Sequence, residues 1–305
     1  VTEAHGSKML TMAKISTGSS HAAHYYSGTR SGKSAAGAQA IKSTWLGQGS
    51  NRLGFHGPVS RDDFQSALAG YGPSHTPLFI RKKANRLPAL DLTFSAPKSL
   101  SILVLMAEAK DLYRAHLEAV AKTVEAIEGT VGVIIRSERK PYVVETENLV
   151  AAQFDHQLSR HNQPQIHAHV IIFNTTWHEG RWRSLRTKGL FDTVKQWGQY
   201  YRDRLAESVL ALGYCLRKTG EGLWELAKVP QLVLDYFSRR RNEIEQLVGP
   251  DASPRERQWA AIKLRPHKKE VPLLELKAQW LEQVNTLEKE AAVQKEKAGA
   301  ERERE

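Results

Sequence analysis

Three histidines between residues 156 and 174 have a spacing that suits a metal site. His167 and His169 are two residues apart in IHAHVIIFN, an apolar run that predicts a strand. Alternate residues of a strand leave the same face, which puts these two Cα atoms ~6.5–7 Å apart and turns Ile166, Ala168 and Val170 the other way, into a core. His156 ends the preceding predicted strand, with ten residues between it and His167. If the two strands pair as neighbours, three imidazoles converge and leave an open position, a pattern associated with catalytic metals.

A plainer interpretation is that H-x-H places two polar residues on the wet face of a sheet. Imidazole ligands favour Zn, Mn, Ni or Cu over Mg, and the histidines alone indicate neither the metal nor the substrate. His161 lies inside the turn-rich connection between the two strands, and we expect it to be exposed to solvent.

Two other short stretches could complete a reaction with such a metal. Tyr25 and Tyr26 lie on a predicted short helix over residues 19–27, where adjacent aromatic residues usually belong to a core. Asp91 opens DLTFSAPKS, an alternating segment in which an acid is usually exposed but can also serve as a general base. A phenol, with a pKa of about 10, needs such a base and a metal-polarised phosphodiester before it can attack. That attack would cut a strand and leave a reversible phosphotyrosine linkage.

The net charge narrows the class of substrate. The chain of 305 residues carries a formal charge of +11 at pH 7. Residues 251–305 hold 12 Lys/Arg against 11 Asp/Glu, whereas residues 1–250 hold 32 against 22. A basic body of this kind favours a polyanionic partner, either nucleic acid or an anionic membrane surface.

Cysteine usage and hydropathy argue against a disulfide-rich protein, a cysteine-based zinc protein and a membrane-inserted protein. The single cysteine, Cys215, allows neither a disulfide framework nor a cysteine-based zinc site, and it fits a reducing cytoplasm. The longest apolar run, residues 100–107, is too short to cross a bilayer and predicts a core helix, so membrane insertion is not expected.

The elements that must position these residues form an α+β pattern of antiparallel strands with helices between and after them. Residues 28–57, rich in Gly, Ser, Ala and Lys, predict a mobile loop. Everything after Pro230 predicts helix, in three segments separated by Gly249-Pro250 and Pro266. Strands are predicted over 9–16, 89–96, 131–136, 142–156 and 166–177, helices over 60–70, 97–129 and 191–212, and hairpins at 178–180 and 220–222.

Together these motifs resemble the MobF-type conjugative relaxases of the HUH endonuclease superfamily. The resemblance rests on HYY after an N-terminal strand, DLTFSAPKS, H-x10-H-A-H and FNTTWHEGRWRSL, which keep their order over about residues 9–190. It implies a palm-like central antiparallel sheet with flanking helices. It also implies site- and strand-specific nicking and transfer of single-stranded DNA at a plasmid origin of transfer, by metal-dependent transesterification.

The resemblance also implies roles for particular residues. Tyr25 matches the nucleophile and Tyr26 the second tyrosine. Asp91 matches the acid that acts as base or orients a metal ligand. The histidine triad matches the metal ligands of the family, which works with Mg²⁺ or Mn²⁺, and we expect Zn²⁺, Ni²⁺ or other transition metals to bind the isolated protein more tightly.

Domain organisation and partners follow from the same resemblance. Residues 1–8 are expected to be a leader or an expression remnant, 9–228 the relaxase core, and 229–305 a helical DNA-clamping region cut off before a helicase domain. The expected partners are origin DNA with an adjacent hairpin, relaxosome accessory proteins and a coupling protein. The expected location is the bacterial cytoplasm, with transfer to the recipient cell on the DNA.

Two departures from the family stand out. Residues 27–40 contain no further tyrosine and the next one is Tyr71, so a second strand transfer would need Tyr26 or a second protein molecule. The chain also has no P-loop, the signature of the family's helicase.

Three alternatives remain open at this stage. The first is a rolling-circle replication initiator of the same superfamily, in which the tyrosine usually follows the histidines. The others are a non-catalytic DNA-binding module and a small hydrolytic metalloenzyme. Lys98, Arg136, Arg160, Arg181, Arg183 and Arg186 are candidate phosphate contacts, and Trp177, Trp182 and Trp197 are candidate stacking residues that could equally belong to a core.

Overall fold

A six-stranded antiparallel sheet is the centre of the protein. The computed structural model describes residues 5–6, 9–15, 42–79, 86–138, 140–264 and 271–302. The strands lie in the order β1-β2-β4-β8-β7-β3, and every neighbouring pair is antiparallel. They are β1 (His5–Gly6), β2 (Leu10–Ile15), β3 (Lys42–Leu46), β4 (Ala89–Ser95), β7 (Ala151–Leu158) and β8 (Pro164–Phe173).

Three two-stranded ribbons surround this sheet. Each of them is an antiparallel hairpin. In the predicted turn at 178–180, Glu179 and Gly180 both have positive φ, as the tightest hairpins require. The ribbons are β5 (Gly132–Ile135) with β6 (Tyr142–Glu145), β9 (Thr176–His178) with β10 (Arg181–Arg183), and β11 (Leu216–Gly220) with β12 (Leu223–Leu226).

Helices cover the sheet and form the C-terminal part of the described chain. They are α1 (Gln48–Leu53), α2 (Arg61–Leu68), α3 (Lys98–Met106), α4 (Lys110–Glu128), α5 (Thr187–Ala211), α6 (Gln231–Tyr236), α7 (Arg239–Val248), α8 (Pro254–Lys263) and α9 (Leu273–Arg302). In the part of the chain that is described, no helix is long and apolar enough to span a membrane.

Strand alternation divides the core between the two faces of the sheet. Leu92, Phe94 and Val170 point to one face and pack with residues of α4 and α5 in the largest apolar cluster. On the other face, Phe154 and Phe173 pack with Phe64 of α2, ring against ring at 5.2 and 5.6 Å. A sheet buried on both faces has a strongly specified register, because a one-residue slip would exchange the two sets of side chains.

The predicted α+β class with a central antiparallel sheet and flanking helices is confirmed. Some boundaries were wrong. Residues 142–156 form two strands separated by an irregular segment in which Glu147 has positive φ. The described part after Pro230 holds four helices instead of three, because the chain also breaks at Phe237 and Ser238. The predicted helix over 19–27 lies outside the described residues.

The prediction of a mobile loop over 28–57 is wrong for residues 42–53, which form β3 and α1. β3 pairs with β7 through the core residue Trp45, and Ser50 donates a hydrogen bond of 2.7 Å to the carbonyl of Leu46. The glycines that suggested a loop allow a close approach between two backbones. A Cβ on Gly49 would lie 2.6 Å from the carbonyl oxygen of Leu149.

Gly49→Ala is therefore expected to lower the free energy of unfolding by about 1–3 kcal/mol, since the added methyl meets backbone that cannot move aside. Urea denaturation measures the change. Gly129→Ala is the matched control, because its Cβ would be 3.6 Å from the carbonyl oxygen of Ala126, an ordinary van der Waals distance, at a helical φ of −63°. A Gly49→Ala protein as stable as the control would contradict this account of the α1 junction.

His116 is a buried base between α4 and α5. Its Nδ1 lies 2.8 Å from the hydroxyl oxygen of Tyr201, and neither residue is accessible to solvent. Burial, followed by the charge of His167, lowers the pKa of His116 from 6.5 to about 3. The unfolded chain therefore takes up a proton here that the folded protein does not. This difference in protonation stabilises the folded protein fully above pH 6.5, and the stabilisation is lost as the pH falls from 6.5 towards 3.

His116→Gln is expected to reduce the loss of unfolding free energy between pH 7 and pH 5 by about 2 kcal/mol, because it removes this titration. Urea titrations at the two pH values measure the effect. His56→Gln, at an exposed position, provides the control slope. An unchanged pH dependence in His116→Gln would show that His116 does not carry the linkage.

Candidate metal centre

The three predicted histidines lie together on one face of the sheet. β7 and β8 pair so that His156 is directly opposite His167, and β4 places Thr93 opposite His169. The ring centroids are 5.2 Å apart for His156–His167, 5.2 Å for His156–His169 and 5.3 Å for His167–His169. Ile166, Ala168 and Val170 point to the opposite face and are fully buried, as the alternation predicted.

Asp91 of β4 holds the ring of His169. Its carboxylate oxygens lie 2.9 and 3.0 Å from Nδ1 of His169, and both residues are buried. A carboxylate only accepts hydrogen bonds, so Nδ1 carries a proton and Nε2 is the ring nitrogen left to face a metal. An acid behind a histidine in this way fixes the tautomer and orientation of a metal ligand.

Thr93 is a contributor that the motif analysis missed. Its hydroxyl oxygen lies 3.1 Å from Nδ1 of His169 and 3.3 Å from a carboxylate oxygen of Asp91. The signal was present, because a residue two positions after Asp91 on a strand must share its face.

A backbone carbonyl orients the ring of His167, as the carboxylate of Asp91 orients that of His169. Nδ1 of His167 lies 3.0 Å from the carbonyl oxygen of Gln165, which only accepts, so again Nε2 is the free lone pair. Burial, and then the neighbouring His169, lowers the pKa of His167 from 6.5 to about 4. The ring is therefore neutral at pH 7, the form in which imidazole binds a metal.

The histidine cluster fits a divalent ion by spacing and by donor chemistry. Three imidazoles that share one ion through bonds of about 2.1 Å hold their centroids roughly 5 Å apart. Among the described residues no three such groups already have their donor atoms on one point. Binding of one ion would therefore require the nitrogens to move, while the centroids already have this spacing.

The first turn of α3 anchors β8 just before His167. Lys98 Nζ donates a hydrogen bond of 2.9 Å to the carbonyl of Pro164, and the backbone N–H of Ile166 donates one of 2.9 Å to Ser101. Burial lowers the pKa of Lys98 to about 8, against the opposing effect of Glu225. Lys98 was a candidate phosphate contact from the sequence. In the structure its ammonium instead donates to the backbone of β8, the strand that carries two of the histidines.

The remaining candidates are distributed over the surface and the core. Arg136, Arg181 and Arg186 are exposed, whereas Arg160 and Arg183 are half-buried. Trp177 and Trp182 pair across the β9–β10 hairpin at 5.3 Å, and the guanidinium of Arg52 lies 5.2 Å from the ring centre of Trp177. Trp197 packs against the main core. Tyr25 and Tyr26 lie outside the described residues, so the structure places neither of them.

A histidine triad of this kind on a central antiparallel sheet is the arrangement that the resemblance to the relaxase class implied. Residues 13–287 match the model of the TrwC relaxase family. The chain belongs to this family.

Solved structures and curated relatives agree with that membership. The conjugative relaxase TrwC in complex with oriT DNA, in a metal-free structure, superposes with a TM-score of 0.82 at 30% identity, covering 92% of this chain and 98% of TrwC. A copper-bound structure of TrwC with oriT DNA gives the same values. TrwC bound to a 27-mer DNA with the recognition hairpin and cleavage site gives a TM-score of 0.81 at 30% identity, over the same shares of both chains.

The multifunctional conjugation protein TraI of Escherichia coli strain K12 is 36% identical over 250 residues, which are 78% of this chain. The match spans only 14% of the length of TraI.

Asp91→Asn is expected to weaken the affinity for Mn²⁺ about 10–100-fold, because it removes the charge that holds the His169 tautomer. Isothermal titration calorimetry measures this affinity. Asp62→Asn, an exposed carboxylate on α2, is the control. Wild-type affinity in Asp91→Asn would assign the carboxylate a role other than orienting the ligand.

Proposed function

We propose that this chain nicks single-stranded DNA at a plasmid origin of transfer and transfers the cut strand during conjugation. The observation that carries the proposal is the triad of His156, His167 and His169, with Asp91 fixed behind His169, in a member of the TrwC relaxase family. The formal charge of +11 supports a polyanionic substrate.

Tyr25 is the proposed nucleophile. Its phenolic oxygen would attack the phosphorus, the bond from phosphorus to the 3′ oxygen would break, and the 5′ phosphate would remain on the tyrosine. The phenol gives up its proton and the departing 3′ oxygen takes one, so attack by that 3′ hydroxyl reverses the reaction. Tyr26 is the proposed second tyrosine, serving the later strand transfer.

The histidine cluster is the proposed site of a divalent ion, Mg²⁺ or Mn²⁺. The chemistry that such an ion supplies is polarisation of the scissile phosphodiester. His167 and His169 would bind it through Nε2, because Nδ1 of each ring is engaged by Gln165 and Asp91 respectively. Because Asp91 is engaged with His169 through both oxygens, we assign it the orienting role and not that of the general base. Zn²⁺, Ni²⁺ and Cu²⁺ should also bind, since imidazole favours them.

The wider setting is proposed from the same family membership. The partners are origin DNA with an adjacent hairpin, accessory proteins of the relaxosome and a coupling protein, acting in the bacterial cytoplasm and in the recipient cell. Residues 9–228 would form the catalytic core and 229–305 a helical region that closes over DNA, preceding a helicase domain in the complete protein.

Tyr25→Phe is expected to abolish formation of a covalent adduct with a labelled single-stranded origin oligonucleotide in Mn²⁺, because phenylalanine has no nucleophilic oxygen. Denaturing gels detect the adduct. Tyr26→Phe is the matched control and should keep the first cleavage.

An adduct that persists in Tyr25→Phe would remove Tyr25 from its role. Metal-independent DNA binding without cleavage of any cognate origin would favour a non-catalytic module. Turnover of small phosphoesters without salt-sensitive DNA affinity would favour a hydrolytic metalloenzyme.

A further inference from the structure

The β8 strand contains a bulge directly before His167. His156 pairs with His167 and Leu158 pairs with Pro164, so β8 advances three residues where β7 advances two. A bulge leaves its extra residue without a partner on the neighbouring strand, and it can re-aim the side chain next to it. Pairing with β7 alone therefore does not fix this part of β8.

The bulge also orients the ring of His167. It contains Gln165 and Ile166, and the carbonyl oxygen of Gln165 is the group that lies 3.0 Å from Nδ1 of His167. A shift of the bulged backbone would move this carbonyl and allow the ring to turn. The position of the bulge therefore decides which nitrogen of His167 faces a metal.

The start of α3 holds the bulged segment in place. Lys98 Nζ donates a hydrogen bond of 2.9 Å to the carbonyl of Pro164, and the N–H of Ile166 donates one of 2.9 Å to Ser101 Oγ. The carbonyl of Ile166 accepts a hydrogen bond of 3.0 Å from the N–H of Ala96, just before the helix begins. These three bonds connect the bulge to one short stretch of chain.

Glu225 of the β11–β12 ribbon caps α3. The residue before the helix is Pro97, whose side chain makes no capping hydrogen bond. The carboxylate of Glu225 accepts from the N–H of Ser99 at 2.7 Å and from that of Lys98, 127 positions earlier in the chain, at 3.4 Å. The first N–H groups of a helix lack partners within it and carry a partial positive charge, so a carboxylate satisfies both requirements.

The same carboxylate compensates the charge of Lys98. Burial lowers the pKa of Lys98 to about 8, and the negative charge of Glu225 acts against this shift. Without a nearby acid, burial would favour the neutral amine or a side chain turned towards water. Either change would weaken the bond from Lys98 to the carbonyl of Pro164.

The ribbon brings Glu225 to the helix from a fixed position. The N–H of Leu226 donates a hydrogen bond of 2.7 Å to Ser99 Oγ, and both residues are fully buried. Trp224 and Leu226 pack in the largest apolar cluster among the described residues. The carboxylate therefore needs no rearrangement of its strand to reach the first turn of α3.

We propose that Glu225 is a positioning residue for the histidine cluster: it holds the first turn of α3, which fixes the β8 bulge and thereby the ring of His167. The proposal rests on the proposed function, because that function assigns the histidine cluster to a divalent ion. It connects the β11–β12 ribbon, which carries none of the candidate ligands, to the orientation of one of them.

The test uses Glu225→Gln, which keeps the shape of the side chain and removes its charge. Glu221→Gln, at an exposed position in the turn of the same ribbon, is the matched control. In metal-free protein near neutral pH, nitrogen NMR of isotope-labelled histidine reports the tautomer of His167, whose signal the His167→Gln variant identifies. Isothermal titration calorimetry gives the Mn²⁺ affinity, and urea denaturation measures stability separately.

Glu225→Gln is expected to raise the share of His167 rings that carry their proton on Nε2. Its Mn²⁺ affinity should fall about three- to tenfold, less than the 10–100-fold typical of a direct partner of a ligand. Glu221→Gln should match the wild type. Lys98→Met keeps the aliphatic stem and loses the donor to Pro164, so it should change both quantities in the same direction as Glu225→Gln.

A Glu225→Gln protein that loses stability but keeps the wild-type His167 tautomer and Mn²⁺ affinity would reduce Glu225 to a helix cap and overturn the proposal. If Glu225→Gln does not fold, unchanged tautomer and affinity in Lys98→Met would overturn it equally. Failure of the wild-type protein to bind Mn²⁺ would instead contradict the proposed metal site, and the tautomer comparison would still decide the role of Glu225.

Discussion

The antiparallel pairing of β4, β8 and β7 is the constraint on which the site depends. It brings Asp91, His156, His167 and His169 to one face, although they come from segments more than seventy residues apart at the extremes. The apolar residues between them point the other way into the core, so the core and the site depend on the same register. Any slip that removed the histidines from their face would also displace the side chains of the largest apolar cluster among the described residues from the opposite face.

Within that register, separate contacts restrict the orientation of the His167 and His169 rings. His169 is held by a carboxylate and a hydroxyl, and His167 is held by the carbonyl of its own strand. The start of β8 is fastened to the first turn of α3 through Lys98 and Ser101. Burial keeps the His167 ring neutral, because a charged imidazolium would lose its hydration. These contacts occupy Nδ1 of both rings and so leave Nε2 as the nitrogen that an ion would meet.

Family membership and local geometry support different parts of the proposal. Similarity to TrwC and TraI covers most of the chain and carries the reaction class, whereas the contacts of Asp91 carry its assignment as an orienting group. The β7–β8 turn, the end of α6 and the first turns of α9 line one cavity, so the helical region meets the sheet at the end of the strands that carry the histidines.

How much the sequence determined differs from element to element. Period-two alternation was enough to predict β4 and β8, the shared face of His167 and His169, and the burial of Ile166, Ala168 and Val170, because strand geometry alone dictates them. The same pattern failed for β3 and α1, since their glycines serve a close contact with Leu149 that is remote in sequence. Local composition there resembles that of a loop.

The choice between two roles for Asp91 and the environment of His161 were also decided only by tertiary structure. An acid on a strand can be a base or a ligand's partner, and only the neighbouring strand shows which group it contacts. A histidine in a polar turn is expected to face water unless another part of the chain covers it. Here the end of α6 and the first turns of α9 line a cavity together with His161, and they follow it by about seventy residues or more. Motif order alone indicated the family, while long-range packing decided how each described residue is held.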